Sequence, residues 1–277
     1  MGKIFLLMIS AEKYKTSPQI AVRLMFRNAH PHRIRFGMTN VRALPLALIQ
    51  LEIPPPQVIA QIGEQPAWFI DALALEPDEY LIVRPHLGDA LPDFQQISGA
   101  ILSGSWSMVT DHAEWSERTA AWVRAAIEYA LPLLGVCYGH QLMAYALGGK
   151  VGDNPNGWER GLTELQRTPQ GENDPLTAGL PARFSAWLSH RQTVISPPPQ
   201  AKVLATSLQD GCQILRYTPQ AFSVQFHPEF TRRIMSVCLP QGMADDGAEM
   251  QGADWARTLL ENFLQQARPQ AGHAQGA

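Results

Sequence analysis

From Leu46 onward, short apolar runs alternate with longer segments of mixed polarity. The run LALIQL (46–51) predicts a first strand, PAWFIDALAL (66–75) a helix and YLIVRP (80–85) a second strand. The run SGAILSGS (98–105) predicts a third strand that ends in small residues. Strands that alternate with helices favour the α/β class, with a mostly parallel central sheet and helices packed on both of its faces.

A longer amphipathic segment then leads into another apolar run. Residues 114–130 place Trp115 and Trp122 on one stripe at helical spacing, which predicts a helix. The run Leu131–Val136 is short and apolar, so it predicts a buried parallel strand. The apolar residues that follow return to helical spacing and predict a helix that ends at two glycines: Leu142, Met143, Ala146 and Leu147, before Gly148 and Gly149.

Beyond Val151 the pattern consists of short strand-like runs separated by Pro, Gly, Asn and Asp. The runs GLTELQ, AKVLATS, CQILRY and AFSVQF predict further strands of the same domain, because no linker divides them from the first part. A closing helix is predicted over ADWARTLLENFLQQ (253–266). We therefore predict one domain over residues 44–267 and a disordered tail over 268–277.

Composition narrows the class of protein. Of the 277 residues, 45% are hydrophobic and 17% charged, which suits a globular chain. No run reaches the ~18 apolar residues that a membrane span needs. The three cysteines lie far apart, so they indicate a reducing compartment rather than a disulfide framework, and we predict a cytoplasmic protein without a membrane partner.

Charge is unevenly distributed, because residues 1–43 form a basic N-terminal extension. This arm contains eight Lys or Arg and one acidic residue, Glu12, whereas the whole chain has a net charge of −3. One interpretation is contact with nucleic acid or another acidic surface. The other is a poorly ordered extension, or translation from upstream of a later start such as Met38. The arm lacks apolar periodicity and interleaved aromatic residues, which favours the second interpretation, so nucleic acid is not expected as a partner.

The first candidate for chemistry is Cys137, at the predicted junction of strand and helix. Gly135 and Gly139 flank it, and a sharp turn at this point would resemble a nucleophile elbow with sulfur in place of the serine oxygen. The positive field at a helix N-terminus favours the thiolate. A buried cysteine that only packs is the alternative, but the two glycines and the strand–helix context favour a nucleophile.

A cysteine nucleophile needs an imidazole and a group that orients it, and FSVQFHPEF supplies both. His227 and Glu229 are two apart, so in an extended chain they would point to the same face. His140, three residues after Cys137, could form a zinc-binding pair with it. No second pair at ligand spacing accompanies them, and no metal site is predicted.

Four separated motifs resemble the class I (triad) glutamine amidotransferases, with the glutaminase part of GMP synthase and its stand-alone relatives the most similar. They are ILSGSWSMVTD, GVCYGHQLMAYALGG, AWLSHRQTV and SVQFHPEF, in the family's order, and the resemblance covers about residues 46–235. It implies a flavodoxin-like fold and a catalytic triad of Cys137, His227 and Glu229.

The resemblance also implies roles for other residues. The backbone N–H groups of Tyr138 and Ser105 would bind the oxyanion, and Gln141 would contact the substrate. The residues expected to hold the amino acid's α-groups are Ser107, Ser189, Arg191 and Gln192. Two segments depart from the family's usual sequences: Gly104-Ser105-Trp106 stands where Gly-Gly-Pro is usual, and Ser189-His190-Arg191-Gln192 where Ser-His-Gly-Asp is usual.

Three functions follow as hypotheses. The first is a glutamine amidohydrolase that releases ammonia through a γ-glutamyl thioester, without a cofactor. The chain has no synthetase phosphate loop, so an acceptor enzyme would be a separate polypeptide. The second is a γ-glutamyl peptidase or transferase acting on larger γ-glutamyl amides, which the altered SHRQ segment favours. The third is a non-catalytic binding module on the same scaffold.

Overall fold

The computed structural model describes residues 43–239 and 249–268. The predictions for the basic arm over residues 1–42 and for the tail over residues 269–277 lie outside the described residues. The domain limits predicted at residues 44 and 267 therefore stay predictions.

Two sheets form the scaffold. The first four strands in the chain are β1 (Leu46–Ile49), β2 (Tyr80–Val83), β3 (Gly99–Leu102) and β4 (Leu133–Val136). They are followed by β5 (Lys150–Asp153), β6 (Glu159–Arg167), β7 (Arg183–His190), β8 (Gln192–Ser196), β9 (Lys202–Thr206), β10 (Ile214–Arg216) and β11 (Ala221–Val224). The large sheet has the order β2-β1-β3-β4-β11-β10-β9-β6-β7, and β5 pairs with β8 in a small one.

Half of the large sheet is parallel. Strands β2, β1, β3, β4 and β11 run in the same direction, with Leu46 opposite both Tyr80 and Gly99. Strands β1, β3, β4 and β11 are buried at every position. Burial on both faces explains why these strands are short continuous apolar runs in the sequence. The predicted parallel sheet is confirmed in this half.

The other half, from β10 to β7, is antiparallel. Strand β6 pairs with β7 over eight residue pairs, from Glu159 opposite His190 to Gln166 opposite Arg183. The hydrophobic pattern predicted β6, β9 and β10, but it missed β7 and both strands of the small sheet, β5 and β8. Strand β7 has polar side chains at partly covered positions such as Ser185 and Ser189, so its apolar run is interrupted.

The helices cover both faces of the large sheet, as predicted. They are α1 (Pro56–Ile62), α2 (Gln65–Leu73), α3 (Glu114–Glu128), α4 (Tyr138–Ala146), α5 (Pro169–Glu172), α6 (Arg232–Cys238) and α7 (Trp255–Ala267). Phe69 of α2 and Leu259 of α7 belong to the core on one face. Val123 of α3 and Leu142 of α4 belong to the core on the other.

Helix α4 lies deeper than its predicted apolar stripe suggests. Eight of its nine residues are buried, and Tyr145 is the exception. A helix covered on nearly every side holds its N-terminus in a fixed position relative to the sheet. Among the described residues, no helix combines the length and apolar character needed to cross a bilayer.

Candidate active site

Cys137 occupies the turn between β4 and α4 and is the N-cap residue of α4. Its backbone has φ 52° and ψ −102°, an unfavourable conformation for a residue with a side chain. The backbone N–H donates to the carbonyl of Val224 at 2.9 Å, which ties the turn to the end of β11. The turn has the strained strand-to-helix form of a nucleophile elbow.

The flanking glycines serve this turn in a way that differs from the prediction. Neither has a positive φ, so the sharp bend falls on Cys137 itself. A Cβ on Gly135 would lie 2.5 Å from the carbonyl oxygen of Gly139, and a Cβ on Gly139 would lie 2.5 Å from that of Leu102. The glycines are needed because α4 packs directly on the backbones of β3 and β4.

His227 and Glu229 form a buried pair, in which Nδ1–H of the ring donates to Oε1 of the carboxylate at 2.8 Å. The extended chain predicted to align them is not present. A turn spans residues 227–230, with Pro228 in its second position and the N–H of Phe230 donating to the carbonyl of His227 at 3.2 Å. Proline fits this position because its φ is already set for the turn.

The imidazole of His227 lies in a strong electrostatic environment. Burial is the largest influence and by itself lowers the pKa, but the charges of Glu229 and Cys137 and the hydrogen bonds to both side chains outweigh it. Together they raise the pKa of His227 from 6.5 to about 10. The ring of Phe230 stacks on the imidazole with 3.9 Å between centroids.

The thiol and the imidazole meet beside Gly104, near the start of the segment that follows β3. The thiol lies close enough to the imidazole to raise the pKa of His227, and its Sγ–H donates to the carbonyl of Ser189 at 3.9 Å. A Cβ on Gly104 would lie 3.0 Å from Cε1 of His227 and 3.6 Å from Cβ of Cys137. Sulfur, imidazole and carboxylate therefore form one connected row, and Gly104 leaves room for it.

These groups open into a cavity of about 240 Å³ at the carboxyl edge of the parallel strands. Parallel α/β sheets commonly bind ligands at this edge. The residues predicted from the sequence all line the cavity: Ser105, Ser107, Cys137, Tyr138, Gln141, Ser189, Arg191, Gln192, His227 and Glu229.

The two predicted oxyanion donors come from different segments, Tyr138 directly after the thiol and Ser105 after β3. Tyr138 is the first residue of α4, so its N–H has no carbonyl one turn back in the helix. Its hydroxyl is directed away into the core, where it lies 2.7 Å from the hydroxyl of Ser116. Ser105 follows Gly104, and its hydroxyl donates to the carboxylate of Glu52 at 2.6 Å.

Ser107 differs from its predicted role in one respect. Its N–H donates to Oε2 of Glu52 at 2.8 Å, and the N–H of Trp106 donates to the same oxygen at 2.5 Å. A carboxylate of the protein therefore occupies these two backbone donors, and a substrate carboxylate would have to displace it to bind there.

Gln141 and Gln192 are held by the protein. Nε2 of Gln141 donates to the carbonyl of Gln192 at 2.7 Å and to Oε1 of Gln225 at 3.0 Å. Nε2 of Gln192 donates to the hydroxyl of Thr110 at 2.7 Å. Its Oε1 is buried without a hydrogen-bond partner among the described residues.

Arg191 lies at the rim of the cavity and is held by an aromatic ring. Its guanidinium carbon lies 4.8 Å from the centroid of Trp158, and that of Arg160 lies at the same distance. Trp158 also lines the cavity, as does Trp106, which is 39% exposed. The rim is therefore cationic and aromatic, and cation–π contact fixes the charge in place.

The other two cysteines are expected to be unreactive thiols. Burial raises the pKa of Cys212 and that of Cys238 to about 12, so both thiols are protonated at neutral pH. Cys212 packs in the core, whereas Cys238 also lines the cavity.

His140 does not form a metal-binding pair with Cys137. It is fully buried, its Nδ1 lies 2.7 Å from the Ser223 hydroxyl, and burial is the main cause that lowers its pKa to about 3. Within the described residues, ligand atoms close enough to share an ion occur in the group Glu159, His190 and Asp210. Protein hydrogen bonds already occupy the ring nitrogens and carboxylate oxygens of this group.

Several residues that shape the site were not predicted from the sequence. Glu52 and Gln65 contact the segment after β3, and Trp158 holds Arg191. A signal existed for Glu52, because it closely follows the predicted first strand and so falls at the carboxyl edge. Gln65 and Trp158 lie at element boundaries where polarity and spacing carry no such signal.

The strained thiol turn, the His–Glu pair and the parallel half-sheet define a class of α/β proteins with a cysteine nucleophile. The family model for glutamine amidotransferase class-I matches residues 79–239. The chain belongs to the class I glutamine amidotransferase family.

Named relatives include the glutamine-hydrolyzing GMP synthase of Aeropyrum pernix, 36% identical over 180 residues, which are 63% of this chain and 33% of that protein. One of the subunits of the glutamine-hydrolyzing GMP synthase of Saccharolobus solfataricus is 31% identical over 149 residues, covering 53% of this chain and 74% of that one. The chain thus spans about a third of the full-length Aeropyrum synthase and most of the Saccharolobus polypeptide.

Solved structures share the fold. A glutamine amido transferase from Methylobacillus flagellatus superposes with a TM-score of 0.65 at 24% identity, covering 84% of this chain and 98% of that one. A glutamine amidotransferase from Thermotoga maritima gives a TM-score of 0.58 at 19% identity, covering 70% and 80%. These likenesses confirm the predicted fold class.

Proposed function

We propose that this chain hydrolyses the side-chain amide of L-glutamine to glutamate and ammonia, with Cys137 as nucleophile. The observation that carries the proposal is the connected row of thiol, imidazole and carboxylate at a strained turn. The pKa of His227, raised to about 10, keeps its ring protonated at neutral pH, so it can pair with a thiolate and supply a proton.

In the first half-reaction, the thiolate of Cys137 attacks the amide carbon and the carbonyl oxygen becomes an oxyanion. The backbone N–H groups of Tyr138 and Ser105 stabilise this oxyanion, and each such donor contributes about 3 kcal/mol. His227 donates a proton to the amide nitrogen, the carbon–nitrogen bond breaks, and ammonia leaves a γ-glutamyl thioester on Cys137.

In the second half-reaction, neutral His227 takes a proton from water, and the resulting hydroxide attacks the thioester. The carbon–sulfur bond breaks, glutamate leaves, and the thiolate pairs again with the imidazolium. Glu229 keeps Nδ1 of the ring protonated and directed at itself throughout, so Nε2 is the nitrogen that exchanges protons with substrate and water.

Glutamine is the favoured substrate because the cavity is small. Its volume of about 240 Å³ is below the ~300–1,000 Å³ of pockets for drug-sized ligands. We further propose that a separate synthetase polypeptide consumes the ammonia, because several relatives are named as single subunits of a GMP synthase. We also propose a cytoplasmic location, because the three cysteines are free and a reducing compartment keeps thiols from forming disulfides.

The test is to incubate the chain with L-glutamine and measure ammonia and glutamate together. We expect equal amounts of both, loss of activity in Cys137→Ala, and full activity in the matched control Cys212→Ala. A diazoketone analogue of glutamine should add one adduct to Cys137, seen as a mass shift. A folded protein with neither turnover nor an adduct would instead favour a non-catalytic binding module.

One observation favours a second candidate function, cleavage of larger γ-glutamyl amides. The rim carries the cation of Arg191 with Trp158 and Trp106 beside it, and these groups suit a substituent on the γ-amide that glutamine lacks. Comparing kcat/KM for glutamine with that for γ-glutamyl-glutamate separates the two. A preference for the dipeptide that Arg191→Gln abolishes would select the second function.

A further inference from the structure

Glu52 is the first of two side chains outside the triad that grip the segment after β3. Its Oε2 accepts three hydrogen bonds: from the hydroxyl of Ser105 at 2.6 Å, from the N–H of Trp106 at 2.5 Å and from the N–H of Ser107 at 2.8 Å. Charge-assisted bonds of this kind are stronger than those between neutral groups. The carboxylate therefore holds three consecutive residues from one side.

Two other side chains hold the carbonyl of Gly104. It accepts Nε2–H of Gln65 at 3.1 Å and the hydroxyl of Ser103 at 2.8 Å. Gln65 and Ser103 are each 3% exposed, so water does not compete strongly for this carbonyl. Both bonds act on the oxygen of the peptide that joins Gly104 to Ser105.

A second layer orients the amide of Gln65. Its Oε1 accepts from Nε2 of Gln50 at 3.4 Å, and Oε1 of Gln50 accepts from Nε of Arg84 at 2.8 Å. Arginine can only donate, so Gln50 must turn its oxygen to Arg84 and its nitrogen to Gln65. Gln65 in turn must direct its nitrogen at the carbonyl of Gly104.

This arrangement fixes the direction of one N–H group. In a trans peptide the C=O and the following N–H point in opposite directions, and the described residues contain no cis peptide. With the oxygen of Gly104 held by Gln65 and Ser103, the N–H of Ser105 points away from them. Gly104 itself lies against Cys137 and His227, so this peptide borders the reacting groups.

We propose that Glu52 and Gln65 are positioning residues that hold the Gly104–Ser105 peptide with its N–H aimed at the oxyanion formed on attack by Cys137. The inference rests on the proposed function for its oxyanion. It also explains why Ser105 and Trp106 are acceptable in this segment. The side chain of Glu52 occupies the N–H groups of Trp106 and Ser107, so the N–H of Ser105 is the one presented to the reacting carbonyl.

The test compares two reactions of the same thiol. With p-nitrophenyl acetate, the thiolate attacks the ester carbonyl, an oxyanion forms, the ester bond breaks and p-nitrophenolate leaves with its electron pair, giving an acetyl thioester. With iodoacetamide, the thiolate displaces iodide from carbon and no oxyanion forms. The ratio of acylation rate to alkylation rate therefore reports oxyanion stabilisation, after subtraction of the Cys137→Ala background.

We expect Glu52→Ala and Gln65→Leu each to lower this ratio about tenfold, less than the ~10²–10³ lost when a donor is removed outright. Glu52→Gln, which keeps an acceptor oxygen, should fall between and also covers the case in which Glu52→Ala does not fold. The matched control Glu114→Gln changes a carboxylate whose side chain is 89% exposed and should leave the ratio unchanged. On glutamine, the variants should lose kcat with little change in KM.

The outcomes separate the two proposals. An unchanged ratio in folded Glu52 and Gln65 variants overturns the positioning role, whether or not glutamine is hydrolysed. Equal losses in acylation and alkylation also overturn it, because they indicate general damage to the thiol. A lowered ratio in a protein that releases no ammonia from glutamine supports the positioning role and rejects the proposed substrate.

Discussion

Two buried His–Glu pairs lie near the same cavity, and they differ in what the second ring nitrogen contacts. His227 donates from Nδ1 to Glu229 at 2.8 Å and turns its other side to Cys137. His190 donates from Nε2 to Glu159 at 2.9 Å and from Nδ1 to the carbonyl of Gln192 at 2.9 Å. Both nitrogens of His190 are occupied, so this ring cannot exchange a proton with a substrate.

The carboxylates differ in the same way. Glu159 accepts from Ser207, Gln213 and His190, and both of its oxygens are used. Glu229 has one oxygen on His227 and one without a hydrogen-bond partner among the described residues. A fully satisfied buried network makes its part of the core rigid, whereas the Glu229 oxygen without a partner is an exception to the usual satisfaction of buried polar groups. The two His–Glu pairs therefore share residue types and similar distances but differ in their surroundings.

The substitution His227→Gln tests the difference between the two His–Glu pairs most directly. We expect kcat for glutamine hydrolysis to fall by roughly 10⁴-fold, because the proton donor and acceptor is lost, while the folded state persists. Ammonia release and thermal unfolding measure the two effects. The counterpart His190→Gln should mainly lower the stability, and a loss of turnover as large as that of His227→Gln in folded protein would contradict the distinction.

The structural pair is tested by Glu159→Leu. Both side chains of the pair are 1% exposed, and removing one partner of a buried pair costs about 3–5 kcal/mol of unfolding free energy. Urea unfolding measures this change. Glu164→Leu on the same strand is the matched control, since its ion pair with Arg183 is more than 60% exposed and exposed pairs contribute about 0–1 kcal/mol. Equal losses in both variants would reject a special role for Glu159.

Glu229→Gln sharpens the contrast within the active pair. The amide still accepts the Nδ1–H bond but carries no charge, so the pKa of His227 should fall from about 10 towards 6.5. We expect kcat to fall by roughly 10²-fold and the alkaline limb of the pH–rate profile to move to lower pH, since the imidazolium is lost earlier. An alkaline limb at the wild-type position would show that Glu229 does not set the charge of the ring.

The most gradual expected effect is on stability as a function of pH. His227 has a folded-state pKa of about 10 and an ordinary value of 6.5, so its contribution is complete below pH 6.5 and is lost as pH rises towards 10. The slope from one such group is at most about 1.4 kcal/mol per pH unit. Unfolding free energies of wild type and His227→Gln between pH 6 and 10 should converge as pH rises, and parallel curves would contradict the raised pKa.

Much of the parallel half was accessible from sequence alone. Strands β1, β3, β4 and β11 are buried on both faces, and such strands must be continuous apolar runs whatever surrounds them. Helices α2, α3, α4 and α7 were predicted for the related reason that each has an apolar stripe or is covered all round. Helix α1 was missed because three consecutive prolines mark its start, although Pro56 suits the first helical position.

In the site, too, residues that are close in sequence could be predicted and residues that are distant in sequence could not. Cys137 was accessible because two small residues flank it at a strand–helix junction, and His227 with Glu229 because they are two apart in the chain. The predicted reasons were only partly right, since the strain lies on Cys137 itself and a turn, not an extended chain, joins the pair. Glu159 and His190 are 31 residues apart, and nothing in their spacing indicates that they touch.

The sequence by itself determined the parallel core, the elbow and the local His–Glu pair, because burial on both faces and short-range spacing leave marks in consecutive residues. Only the tertiary structure decided that Glu52 and Gln65 hold neighbouring parts of the segment after β3, that Trp158 holds Arg191, and which histidine faces the thiol. These contacts join residues from different elements through single polar atoms. Such atoms impose no periodicity, and their partners are set by how the strands and helices pack.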